Sequence, residues 1–238
     1  MATSATAPYS SKIFNSLEDL FPATAKFEAL KGSEWLHDVG KALLKEHGMN
    51  TTFGFILLHR HFDIDEDQIL VEFNNVTVPW LDAGKSSGKS KGFYATAWKP
   101  VTNESSDGKG FAWMPYEFAF NPAPFGVDNA VGPIDLNDAK YKEFLEAFSA
   151  ALRSAGLDQL IGLSVIPEED NLNGLEITEG KANILLRADQ CDSIKDQDRV
   201  EAMWSFPGGK YEAIGCAKGC LSPDSGGPHS WYHYGTLS

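Results

Sequence analysis

A chain of 238 residues with 42% hydrophobic and 12% aromatic side chains has ample material for a buried core, which excludes a disordered or low-complexity class. A formal net charge of −13 speaks against nucleic acid or an anionic membrane as partner, because both ask for a basic face. Three cysteines, Cys191, Cys216 and Cys220, are too few for a disulfide framework, and no secretory leader or run of roughly 20 apolar residues is present, so a cytoplasmic location is expected.

In chain order, residues 1–11 read as a loose arm, and Ser16–Leu20 as a short helix. Ser33 to Gly48 reads as a longer helix, with Trp35, Val39, Leu43 and Leu44 on its apolar stripe, Ser33 as cap and Gly48 as stop. Phe53–Phe62 follows as a strand in which Phe53, Phe55, Leu57, His59 and His61 alternate onto one face. The polar turn 63–67 leads to a second strand, Ile69–Phe73. A hairpin of these two would set Glu72 opposite His59.

The small, basic segment 81–92 and the soft loop 101–109 flank strands at Gly92–Trp98 and Gly110–Phe120, where Pro115 marks an edge or a bulge. A Pro/Gly-rich connector (122–133) precedes the clearest helix, Asn137–Ser154, with Phe144, Leu145, Phe148 and Leu152 on one stripe and Gly156 at its end. Strands then return at Leu160–Ile166, Leu175–Thr178, Lys181–Ala188 and Val200–Phe206, the middle pair as a hairpin turning at Glu179–Gly180. Residues 207–238 read as an irregular tail rich in Cys and His. The expected fold is a single α+β domain over 1–238, a mostly antiparallel sheet with a few flanking helices.

His59-x-His61 is the strongest chemical signal. Two imidazoles at i, i+2 on a rigid element lie at a separation one metal ion can bridge, whereas the competing reading is a pair of ordinary half-buried histidines. Cys216-x₃-Cys220 has a spacing suited to zinc, and with His59 and His61 it completes a His₂Cys₂ set. All four ligands would serve a structural site. Three would serve a catalytic one, with Glu72 as the last ligand or as the acid/base. The bland alternative is a solvated tail with two incidental thiols. His229 and His233 are weaker candidates beside Trp231, Tyr232 and Tyr234.

Three other matches carry little. Ala83–Ser90 imitates a phosphate-binding loop but precedes a strand rather than a helix. Asp63-x-Asp65-x-Asp67 begins like a calcium loop and fails at Gln68 and Asn74. Asn50, Asn75 and Asn103 match glycosylation acceptors by chance. For Glu176, Thr178 and Lys181, a turn and a pocket wall explain the sequence equally well.

The segments Leu57–Phe62 and Thr178–Ile184, together with Cys216, Cys220 and His229, resemble those of the cyclopenases, zinc-containing fungal proteins of quinolone alkaloid biosynthesis. That resemblance implies a Zn²⁺-dependent lyase-type ring contraction of a benzodiazepinedione epoxide (cyclopenin or cyclopenol) to a hydroxyquinolone (viridicatin or viridicatol), with loss of an isocyanate. A small aromatic alkaloid would be the partner, and Glu72 would move the proton. Two other classes compete. One is a binding or scaffold protein with structural zinc. The other is a non-haem iron oxygenase with His59, His61 and Glu72 as a facial triad.

Overall fold

The computed structural model describes residues 6–81, 92–102, 111–120, 133–166, 173–190 and 199–217. Among the described residues ten strands close into a barrel: β1 (Phe53–Leu57), β2 (Gln68–Phe73), β3 (Val76–Leu81), β4 (Phe93–Thr102), β5 (Phe111–Phe120), β6 (Ile161–Val165), β7 (Leu175–Glu179), β8 (Ala182–Leu186), β9 (Arg199–Ser205) and β10 (Glu212–Ala217). Their order is β1-β6-β4-β5-β2-β3-β8-β7-β10-β9, and β9 pairs back onto β1. The α+β expectation holds in its coarse form, and closure goes beyond it: a closed sheet leaves no edge strand. Most pairings are antiparallel; β2–β5 and β7–β10 are parallel.

The helices are α1 (Ser11–Phe14), α2 (Leu20–Ala29), α3 (Gly32–Trp35), α4 (Lys41–Glu46) and α5 (Ala139–Ala155), with a π turn at Leu36–Gly40 joining α3 to α4. In α5 the side chain of Asp138 accepts from the Lys140 N–H, and Gly156 at φ 70 ends the helix in a left-handed conformation that a side chain would oppose. Its predicted stripe is the buried one, with Phe144, Leu145, Phe148 and Leu152 all at 4% exposure or less. The helix predicted over 33–48 exists, but its stripe is displaced. The π turn inserts an extra residue into the repeat, so Leu36 is buried and Val39 exposed. Gly40 sits in that turn because a Cβ there would come within 2.8 Å of Phe55. Lys31, not Ser33, occupies the N-cap.

These helices cover one side of the barrel. Phe53 stacks on Phe144 at 6.0 Å, Phe148 meets Phe55 at 5.1 Å and Trp113 at 5.3 Å, and Phe27 stacks on Trp204 at 5.0 Å. Each such pair adds about 0.5–1.5 kcal/mol beyond the area it buries.

Several expectations are corrected. The histidine strand stops at Leu57, and its neighbours are β6 and β9, so the hairpin with Ile69–Phe73 does not form. β2 instead makes a tight hairpin with β3, an unanticipated strand, through Asn74 (φ 56) and Asn75. The arm is anchored from residue 6 onward: Ala7 N–H donates to Trp113 O, and Tyr9 packs edge-on against Phe118. Within the tail, 212–217 is strand β10. Pro115 is accompanied by a bulge as expected: the register shifts between Ala97 and Trp98, where Tyr116 of β5 is left over next to Pro115, and a second shift between Ala95 and Ala97 leaves over Thr96 of β4. The hairpin at Glu179–Gly180 forms as expected. The segments 82–91, 103–110 and 122–132, and with them Cys191, Cys220, His229 and His233, lie outside the described residues.

Candidate metal centre

The inner wall of the barrel can be traced from register alone, since residues paired across a ladder share a face. Cys216 on β10 pairs with Glu176 on β7, which pairs with Leu185 on β8. Lower on the wall, Asn183 pairs with Thr77, Thr77 with Glu72, Glu72 with Ala119, and Ala119 with Tyr94. All of these line one cavity of about 530 Å³, joined by apolar side chains including Ile56, Phe62, Leu70 and Met203.

His59 and His61 enter the same cavity from the segment that follows β1. Beyond Leu57 the chain leaves the ladder, and the N-terminal residues hold it in place. Arg60 N–H donates to Glu18 O and Arg60 Nε to Leu17 O, while the Asn15 amide bonds both the N–H and the C=O of Ile64, at 3.0 and 2.8 Å. The histidines therefore do not share the face of Phe53, Phe55 and Leu57. Those three pack among the helices, and the imidazoles turn inward.

Four donor atoms converge there. His59 Nε2 lies 3.0 Å from His61 Nε2 and 3.7 Å from Cys216 Sγ; Glu176 Oε1 lies 2.9 Å from His61 Nε2 and 3.6 Å from Cys216 Sγ. His59, His61, Glu176 and Cys216 each offer one atom within 4.8 Å of all the others, a group that could hold a metal ion. His59 Nδ1 is 2.7 Å from the Leu57 carbonyl, which accepts its proton and leaves Nε2 as the lone-pair nitrogen aimed at the group.

The electrostatics suit metal ligation. Burial, reinforced by the neighbouring His61, lowers His59 to about 4, so it is neutral and able to ligate at physiological pH. Burial pushes Glu176 up, but the His61 hydrogen bond and the two histidine charges outweigh it, and the carboxyl ends below its ordinary value. A buried Tyr116 is raised well above the usual phenol, first by desolvation and then by Glu117, Glu176 and Cys216.

Of the residues named from sequence, His59, His61 and Cys216 are brought together. Glu72 lines the cavity opposite Thr77 but is not in the donor group. Glu176 takes the fourth place. It was one of three polar residues with an open reading; of the others, Thr178 bonds Asn183 at 2.9 Å and Lys181 is exposed. Its sequence signal was a place in the polar stretch 176–183 between two apolar runs.

No protein-family model, curated protein or solved structure matches this chain significantly. No described helix is long and apolar enough to cross a membrane.

Proposed function

We propose that this chain is a zinc enzyme of the lyase type that contracts a benzodiazepinedione epoxide such as cyclopenin or cyclopenol to a hydroxyquinolone such as viridicatin or viridicatol. The observation that carries the metal half of this reading is the convergence of His59, His61, Glu176 and Cys216 at the wall of a cavity large enough for a small aromatic molecule. Two imidazoles, a thiolate and a carboxylate make a donor set typical of zinc. With ordinary zinc bond lengths, a tetrahedron requires edges of about 3.3 Å between nitrogen and oxygen atoms and about 3.6 Å to sulfur. Edges of 2.9–3.0 Å and 3.6–3.7 Å are within a few tenths of an ångström of these values. The chemistry and the substrate rest on the cyclopenase resemblance of the quoted segments.

A bound zinc ion would supply Lewis acidity to a carbonyl or epoxide oxygen. His59, His61 and Cys216 would hold it, with His59 oriented by Leu57 O. Glu176 has the more exposed side chain, 25% against 4% for His61, and is the ligand suited to yield its place to substrate. Apolar side chains such as Ile56, Phe62 and Met203 would exclude water from a flat ring system.

A second reading has one observation in its favour: four protein donors can saturate zinc and make the site structural, in a binding or scaffold protein. An iron facial triad of His59, His61 and Glu72 has less support, because Cys216 sits among the donors and Glu72 does not. Metal analysis by inductively coupled plasma mass spectrometry, on the wild type and on His59→Ala/His61→Ala, separates these readings. About one zinc per chain, absent from the double variant, together with turnover of cyclopenin, is the expected result. Zinc without turnover favours the structural role, bound iron favours the oxygenase, and an empty wild-type protein removes the metal reading.

A further inference from the structure

On the wall formed by β2, β4 and β5, Glu117 pairs with Leu70 on one side and with Ala97 on the other. Beside it, β4 carries a bulge between Ala95 and Ala97, where Thr96 is the residue the ladder skips. Both Thr96 and Glu117 line the cavity. The Thr96 Oγ1 atom is buried and has no hydrogen-bond partner among the described residues. The Thr96 side chain borders the cavity, and a rotation about its χ1 would bring this unpartnered hydroxyl to a ligand there.

Glu117 belongs to neither the metal group nor any ion pair described among these residues. Burial first, and then the charges of Glu176 on β7 and Glu72 on β2, push its carboxyl up to about 8, against the opposing influence of His61. Burial, the largest of these causes, and the charge of Glu72 do not involve the metal group. At neutral pH the wall then presents a carboxylic O–H donor.

We propose that Glu117 and Thr96 form a second subsite, in which the Glu117 acid donates a hydrogen bond to a carbonyl-type oxygen of a neutral, flat ligand and the Thr96 hydroxyl binds the adjoining polar atom. This deepens the reading above and rests on it for the end of the ligand that meets the metal. An anionic ligand is disfavoured, since its charge would meet that of Glu72 on the same wall.

The test is calorimetric titration of quinolin-2-one, a neutral lactam, into the zinc-loaded full chain from about pH 6 to about pH 10, with zinc content measured in parallel. Glu117→Ala should weaken binding about tenfold, the worth of one buried hydrogen bond, with zinc retained. Glu117→Gln, whose amide N–H can donate, should bind like the wild type at neutral pH. The wild-type affinity should fall as pH rises through the titration of Glu117, and the Gln variant should not follow it. Thr96→Val should cost a few-fold.

Unchanged binding in Glu117→Ala, an equal fall with pH in Glu117→Gln, or no binding to zinc-loaded wild type would each overturn the subsite. A wild type that takes up no zinc counts against the metal reading instead, and the Glu117 comparison is then decided on the metal-free protein by the same criteria.

Discussion

The two faces of β1 make opposite use of one sequence run. Outward, Phe53 and Phe55 join α5 and the neighbouring helices in an aromatic layer with Phe144, Phe148 and Trp113. Inward, Ile56 lines the cavity, and the segment beyond the strand adds two imidazoles facing a carboxylate and a thiol. The outer layer is apolar and packed without polar obligations. The inner wall holds Glu72, Glu117 and Glu176, groups that lose hydration on folding, and Glu176 and Glu72 add their repulsion to the burial of Glu117. Apolar packing is therefore concentrated on one side of the sheet and the candidate metal donors on the other.

The sharpest way to break that division is to cut into the outer layer. Phe148→Ala removes a fully buried ring that meets Trp35, Phe55, Trp113 and Phe144, and should cost about 3–5 kcal/mol in chemical denaturation. Where the variant still folds, its zinc content should match the wild type. A parallel loss of metal would mean that the two faces are coupled after all.

The outer layer was legible because a stripe at helical spacing and an alternating strand each announce a buried face, and α5 (Ala139–Ala155) was found close to the expected range with its stop at Gly156. The inner wall was not. His59 and His61 stood out only because they are close in sequence. Cys216 and Glu176 are 40 residues apart and meet through a parallel pairing that neither local pattern announces. The assumed hairpin failed for a related reason: the neighbours of β1 are β6 and β9, both more than a hundred residues downstream. Within 33–48, the extra residue of the π turn moved Val39 off the stripe that its spacing suggested.

A second prediction sharpens the comparison from the inner side. Glu117 is raised to about 8 in the folded chain from an ordinary value near 4.5. The folded state thus holds a proton that the unfolded chain has released, and stability declines as pH rises from about 4.5 to about 8. Glu117→Gln removes that decline and should stabilise the metal-free protein by about 2–4 kcal/mol at pH 8, with little change near pH 5. Equal denaturation midpoints for wild type and variant at both pH values would refute a neutral, buried Glu117.

The smallest effect tests the hold on the histidine segment. Asn15→Ala deletes both amide bonds to Ile64 and should cost about 1–2 kcal/mol. Zinc affinity, measured by competition with a chromogenic chelator, should weaken several-fold as His59 and His61 gain freedom. Unaltered affinity would show that the donors position themselves without the N-terminal residues.

The order of the donors along the chain, 59, 61, 176 and 216, has a consequence for biosynthesis. During translation the two imidazoles emerge early, but the thiol arrives only with β10, the strand that joins β7 to β9 and completes the ring. A nascent chain lacking it has neither the full donor set nor a closed wall around the cavity. Metal acquisition by this group would thereby be deferred until after β10 has left the ribosome, and an ion held tightly in the cell would certify a finished barrel.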